Sequence, residues 1–453
     1  MPEVEEKNEN KKIIKASPTK NFFISMLIRD LTLRDAIGDL VDNSVDGART
    51  LYPESNYSGL EVKIEASKDK FVIEDNCGGI SVNTAREYAF RFGRPDDVPP
   101  TPGSIGQFGI GMKRALFKLG TNFTIESIAS TSRFSMEVDV NSWATDKDNW
   151  DFQFKSYHEN LEEIPIDQRG TRIEVTNLRQ DVIDQFSNSN FIKRLFSEIE
   201  LENLYNIFKG LKISINGAKL KARNLELIKS NDIKTGYWHY YFGEEKKMTV
   251  EVYAGVAEPI LEQGGWYIFC NDRLVVGPEQ TEITGWTGGR TSDGGPKYHG
   301  QFNRFRGYVF FKAERASSLP WNTTKNNMDL DSPDFIFVRQ QMIQMMKPVI
   351  SFLNRMKEER ENDNPSEERP LEKIMEQAIA IPLSAISKTE DTAATFTFPA
   401  LPPVRRQKSD ENKIVYLKPK AIVEKVKKAL GVTNLKEVGE RTFDYYYEME
   451  VGD

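Results

Sequence analysis

Apolar residues Ala36, Ile37, Leu40, Val41 and Val45 recur at helical spacing and predict a helix over 34–49 with one buried face. On that helix Asp39 and Asn43 lie four apart and share a face, with Asp46 about one turn further on. Phe-Val-Ile-Glu-Asp-Asn-Cys-Gly-Gly-Ile (71–80) reads as an apolar strand running into a tight acidic turn. The glycine-dense loop 103–113 is expected to open a second helix that continues Arg-Ala-Leu-Phe-Lys-Leu and stops at Gly120. Gly-Thr-Arg-Ile-Glu-Val (170–175) opens another alternating strand. Further on, 183–209 reads as helical and 211–220 as a hairpin about Ile-Asn-Gly-Ala, with strands at 247–254, 266–276 and 305–313. A long helix then runs to about Glu361, carrying Ile336, Val338, Met342, Met345, Met346, Val349, Ile350 and Phe352. Its methionine stripe is expected in the core.

The pattern sets an organisation. A polar arm (1–16) precedes a first domain over 17–180, whose Pro-rich segment and glycine loop (about 81–111) make a lid candidate with Arg86, Arg91 and Arg94. A second domain covers 181–361. Residues 362–412 read as linker, with an extended Pro-rich stretch at 395–403, and 413–453 as a small C-terminal element. Within it, 418–431 is a basic amphipathic helix ended by glycine, expected as a solvated face. The aromatic run Phe443–Tyr447 reads as a terminal strand or a docking segment.

Composition narrows the class. At 453 residues, 39% hydrophobic and 28% charged, the chain has room for two or three domains with cores. No apolar run reaches the ~18 residues of a membrane span, and Met1–Lys12 is too polar for a signal peptide. Cys77 and Cys270 lack metal-ligand spacing, so reduced thiols and a cytoplasmic location are expected. A net charge of −7 gives no general bias toward nucleic acid.

Candidate chemistry lies in two places. Asp and Asn aimed in one direction from a helix suit a hard divalent cation and an attacking water. Gly-Ser-Ile-Gly-Gln-Phe-Gly-Ile-Gly-Met-Lys (103–113) is a glycine-dense loop opening a helix. Its backbone can approach a ligand closely, its helix N-terminus offers free N–H groups to an anion, and Lys113 adds positive charge. No Gly-Lys-Ser/Thr ends it, as in a P-loop. The preceding Asp-Asp-Val-Pro-Pro-Thr-Pro is no strand, as a dinucleotide-binding fingerprint would require.

The ordered set of acidic-x-x-x-Asn, Asp-x-x-x-Gly, Gly-x-x-Gly-x-Gly and Gly-Thr across 35–175 resembles the GHKL superfamily. That group holds the gyrase B subunit, the large heat-shock chaperones, sensor histidine kinases, MutL and the MORC ATPases. The resemblance implies an α+β protein: a Bergerat-type α/β sandwich that holds Mg2+ and ATP under a lid. The run Phe269-Cys-Asn-Asp-Arg-Leu-Val-Val is similar to the ribosomal-protein-S5-like transducer domain of MutL, gyrase and MORC proteins. The three histidines, His158, His239 and His299, sit in no phosphoacceptor-helix context, which argues against a sensor kinase. No toprim-like Glu…Asp-x-Asp segment follows, so a single-chain topoisomerase is not expected.

By resemblance Asn43 is the magnesium ligand and Asp39 the group that activates water. Asp75 accepts a hydrogen bond from the adenine amino group. Gly79 lets the base pack close beside Ile80, and Thr171 supplies a hydroxyl near it. Gly106, Gly109, Ile110, Gly111, Met112 and Lys113 make the lid hinge and phosphate loop, and Lys325 reaches the terminal phosphate. Asp46 is read as structural, paired with Arg34 or Arg49. Asp39 stands where the family has glutamate, one methylene longer, so slow turnover is expected. Cys77 stands where glycine is common, and Gly78 can carry the turn in its place. The resemblance implies a slow ATPase that closes as an ATP-dependent homodimer, with a protein client or nucleic acid as further partner and no membrane. Two other readings remain: a non-hydrolysing ATP sensor, and the ATPase subunit of a DNA-handling or defence complex.

Overall fold

Alternation of apolar and charged side chains builds the first sheet of this computed structural model. The described residues are 16, 18–53, 56–93, 102–106, 109–146, 149–222, 224–260, 262–289, 294–322, 324–361, 369–386, 393–400 and 414–452. Residues 1–15 of the polar arm, Arg94 with the Pro-rich centre of the lid candidate, Gln107, Phe108 and the whole 401–412 stretch lie outside them. The chain divides into two compact units, Met1–Leu401 and Pro402–Asp453.

In the first unit, helices α1 (Lys20–Arg29) and α2 (Leu33–Leu51) precede strands β1 (Glu61–Ala66) and β2 (Phe71–Asp75). Helix α3 (Gly111–Leu119), strands β3 (Gly120–Ile128) and β4 (Arg133–Asp139), helix α4 (Val140–Thr145) and strands β5 (Phe154–His158) and β6 (Gly170–Leu178) follow. Helices α5 (Gln180–Phe186), α6 (Ser189–Glu202) and α7 (Leu204–Phe208) lead into β7 (Lys212–Ile215) and β8 (Ala218–Lys219). The sheet order is β5-β4-β3-β6-β2-β1-β7-β8, antiparallel except for β1 beside β7. The hairpin expected at 211–220 therefore extends the first sheet beyond residue 180.

One face of this sheet is apolar. Val62, Ile64, Phe71, Ile73, Ile125 and Val175 are buried with Ile37, Leu40, Val41 and Val45 of α2 and Leu116 and Phe117 of α3. The opposite face carries charges that pair across strands, as Arg172 of β6 does with Glu74 of β2 at 2.8 Å, and along a strand, as Arg172 does with Glu174 at 2.8 Å. At one edge an aromatic cluster closes over Phe117: its ring lies 6.0 Å from Phe92 and 5.7 Å from Trp143.

Strand β9 (Glu226–Lys229) stands outside the second sheet, in a two-stranded pair of its own. The strands of the second sheet are β10 (Gly236–Tyr241), β11 (Met248–Val256), β12 (Gly265–Cys270), β13 (Arg273–Glu279) and β14 (Phe305–Ala313), plus the short β16 below. The run expected at 266–276 is thus two strands. Asn271 (φ +46°) and Asp272 (φ +68°) reverse the chain between them, a turn whose left-handed positions suit these residue types. Helix α8 (Pro333–Glu361) packs on β11 and β14 with Met342, Met345, Met346, Val349 and Phe352 buried; Ile336 is exposed.

The described part of 362–401 corrects the linker reading. It forms helix α9 (Pro370–Glu376) and strands β15 (Ile379–Pro382), paired with β9, and β16 (Ala393–Ala394), paired with β10. Leu371 and Phe396 are buried, because apolar residues in a nominal linker find the exposed sheet edges and the end of α8. In the second unit, α10 (Lys420–Leu430) ends at left-handed Gly431, and α11 (Leu435–Tyr446) is capped by Asn434. Phe443–Tyr447 is accordingly helical rather than a strand; the cap and the helix-compatible run behind it outweigh the β preference of its aromatics.

Phe117→Ala should lower stability by about 3–5 kcal/mol, read as a shifted urea midpoint, because Phe92 and Trp143 lose their central ring.

Candidate functional site

Helix α2 is the platform of the site. Thr32 caps it, its hydroxyl accepting from Asp35 N at 3.1 Å. The buried stripe beginning at Ala36 faces the core, which leaves Asp39, Asn43, Asp46 and Gly47 along a cavity of about 430 Å3. That volume is within the range of small-molecule and cofactor sites. Every candidate site residue borders it: Asp39, Asn43, Asp75, Gly79, Ile80, Gly106, Gly109, Ile110, Gly111, Met112, Lys113, Thr171 and Lys325.

At one end lies a buried ion cluster. Asp39 Oδ2 accepts from Arg114 Nε at 2.7 Å, and its Oδ1 from Lys325 Nζ at 3.3 Å. Lys325 Nζ also donates to Asp42 Oδ2 at 2.9 Å. Asp42 Oδ1 accepts from Arg273, whose other amino group pairs with Glu202 at 3.1 Å. Burial alone would raise the Asp39 carboxyl, but Lys325 and Arg114 outweigh it and hold it below the usual carboxylate range. Burial likewise opposes the Lys325 charge, and Asp42 and Asp39 overcome it, so its ammonium is held above the ordinary lysine value. Burial pushes Glu202 up to about 7.

Asn43 stands on the same helix face with an exposed side chain. Among the described residues no group of three His, Cys, Asp or Glu could hold a metal by itself. The Asn43 side-chain oxygen is the group that could hold a magnesium ion here, which would need further oxygen ligands from outside the chain.

The opposite end is a hydroxyl-lined wall. Asp75, at the end of β2, accepts from Ser44 Oγ at 2.7 Å and from Cys77 N at 2.8 Å. Burial raises its carboxyl above the usual range. Register pairs Asp75 with Thr171 of β6, and Thr171 Oγ1 lies 2.9 Å from Ser127 Oγ, which accepts from Ile80 N at 2.7 Å. The left-handed positions of the turn are Gly78 (φ +99°) and Gly79 (φ +70°), so Cys77 stays free of that strain. A Cβ on Gly79 would stand 2.0 Å from Ile128 O, so only glycine fits there.

The glycine loop joins the two ends. Asp46 accepts from Ile105 N at 2.7 Å and Gly106 N at 2.9 Å, and its ion pair is with Arg49 at 3.4 Å; Arg34 pairs with Glu198 instead. Helix α3 begins without a side-chain cap, and Gly111 and Met112 of its first turn border the cavity. That uncapped end suits an anion. Lys113 Nζ donates to Gly109 O and, at 2.9 Å, to Ala89 O, joining the start of α3 to the segment ending at Ala89. Arg86 forms a two-pronged pair with Glu159 at 3.0 and 3.1 Å, on the surface.

Residues 31–171 match the family described as histidine kinase-, DNA gyrase B-, and HSP90-like ATPase. This segment is a GHKL-type ATP-binding domain. The match covers about a third of the chain, and no curated protein matches it. The GHKL segment contains Asp39, Asn43, Asp75, the glycine loop and Thr171, while Arg273 and Lys325 enter its cavity wall or ion cluster from outside. Sequence reasoning missed Asp42, Arg114, Arg273 and Glu202. The spacing of Asp42, three residues after Asp39, was a usable signal; nothing local marks the other three.

Burial pushes the Lys113 amine down to about 7 from the ordinary 10.5. Between those values the folded chain has released this proton and the unfolded chain still holds it. Stability should therefore rise with pH across about 7 to 10.5, and Lys113→Met should flatten that rise in denaturation curves taken at stepped pH.

Proposed function

We propose that the chain binds Mg2+ and ATP in this cavity and hydrolyses the nucleotide slowly to ADP and phosphate. The observation that carries the reading is the arrangement on α2: Asp39 and Asn43 on one face at one end, Asp75 at the other, and the glycine loop between. Asp75, fixed by Ser44 and the Cys77 amide, is suited to accept from the adenine amino group. The backbone of Gly109–Gly111 and the open end of α3 suit the phosphates. Magnesium, held through Asn43, would neutralise phosphate charge.

Asp39 is the group in reach of an attacking water. Water oxygen forms a bond to the γ-phosphorus, the bond to the ADP oxygen breaks, and the water's proton passes to Asp39. Arg114 and Lys325 on its two oxygens make Asp39 a weak base, which supports slow turnover. Lys325 would be shared between these carboxylates and a terminal phosphate, so nucleotide state would alter how the second sheet is held. On this reading the second sheet and α8 act as a transducer-like part, nearest in kind to MORC, MutL and chaperone ATPases. Lid closure over ATP would favour a homodimer, with a protein client or nucleic acid downstream, in the cytoplasm.

The double occupation of Asp39 also favours a second reading, an ATP sensor without useful turnover. Phosphate release and calorimetry separate the two. Asp39→Asn should cut phosphate release by about 100-fold or more with ATP binding retained, and Asn43→Ala should remove the magnesium dependence of binding. Binding without any wild-type turnover would favour the sensor; no heat with ATP and magnesium would overturn both.

A further inference from the structure

The glycine loop is held from two sides. Asp46 takes the amides of Ile105 and Gly106. On the other side stands the β12–β13 turn. Asn271 Nδ2 donates to Ser104 O at 3.0 Å and to Ala313 O at 3.1 Å, and Asn271 Oδ1 accepts from Ala313 N at 3.0 Å. Its backbone N–H donates to Phe311 O at 2.9 Å, and its carbonyl accepts from Arg49 at 2.7 Å. Arg49 also donates to Gly103 O, and Gly103 N donates to Glu314 O at 3.0 Å. Asn271 is 3% exposed, so the bonds of its carboxamide form away from water. One side chain thus joins the loop that borders the cavity to the end of β14.

We infer that Asn271 is a positioning residue: its carboxamide sets the Gly103–Gly106 backbone against the second sheet and couples loop position to β12 and β14. This coupling to nucleotide rests on the ATP reading above; the positioning of the loop does not. The chemistry selects asparagine. The turn needs φ > 0, which asparagine tolerates, and the site needs two N–H donors toward carbonyls with one acceptor toward an amide. Aspartate would present an oxygen to two carbonyl oxygens.

The test variant is Asn271→Gly, which keeps the left-handed turn and deletes the side chain that carries the carboxamide. Asn216→Gly is the matched control. Asn216 has φ +48° in the β7–β8 turn and clamps Ala66 N at 2.8 Å and Ala66 O at 3.1 Å, outside the cavity wall. Hydrogen exchange on the full chain without nucleotide should show the Ile105 and Gly106 amides exchanging about 10-fold faster in Asn271→Gly and unchanged in Asn216→Gly. With ATP and magnesium, the wild type should show added protection in 265–270 and 305–313. Asn271→Gly should lose that response and bind ATP about 5- to 10-fold more weakly. Should the glycine variant not fold, Asn271→Asp is measured in the same way. Unchanged loop exchange in the Asn271 variant, or an equal change in the Asn216 control, overturns the inference. A wild type that ignores ATP overturns the ATP reading and the coupling, while nucleotide-free exchange still decides whether Asn271 positions the loop.

Discussion

Three carboxylates buried against three cations hold the two sheets to one another. Asp39 and Asp42 project from a single helix, and each is within 5% of complete burial. An ionised carboxylate in that position is costly unless paired and hydrogen-bonded. Their partners come from remote parts of the chain: Arg114 is 75 residues from Asp39, Arg273 is 231 from Asp42, and Lys325 is 286 from Asp39. Glu202 completes the balance beside Arg273. Helix α2 can bury those acids only when α3, β13 and the segment between β14 and α8 have delivered Arg114, Arg273 and Lys325.

The same constraint shapes the cavity. Arg114 and Lys325 grip Asp39 from two elements, so the carboxylate that would serve chemistry also serves cohesion. On the proposed reading, the terminal anion of a ligand would compete for Lys325 and loosen this contact. Asp46 and Arg49 repeat the pattern one turn further along α2, where a carboxylate and a guanidinium organise backbone groups of the glycine loop. One helix therefore carries the polar wall of the cavity, the anchor of its loop and the joint to the second sheet.

Local elements were legible where a single period or a single residue type decides the outcome. The 3.6-residue spacing from Ala36 to Val45 gave α2, β14 runs over the strand expected at 305–313, and Gly120 ends α3. The acidic turn was legible too, because Gly78 and Gly79 alone suit its left-handed backbone. What failed were segments in which burial overrides composition. Polar 362–401 looked like linker until sheet edges and α8 gave its few apolar residues somewhere to pack. The strand expected at 266–276 hid a two-residue reversal, since Asn-Asp has no glycine to announce it. The aromatic tail kept its helix through a cap at Asn434 that the β-type composition obscured.

By itself the chain order determined which backbone and side-chain types could form a nucleotide-type cradle: periodicity aligns Asp39 with Asn43, and glycine permits the two tight turns. Those are short-range consequences of helix geometry and steric freedom, and they need no knowledge of distant residues. Which cations answer Asp39 and Asp42, and that Asn271 reaches Ser104, were decided only by tertiary structure. Charge pairing and hydrogen bonding across hundreds of residues depend on where the sheets bring side chains together, and no local pattern encodes that meeting.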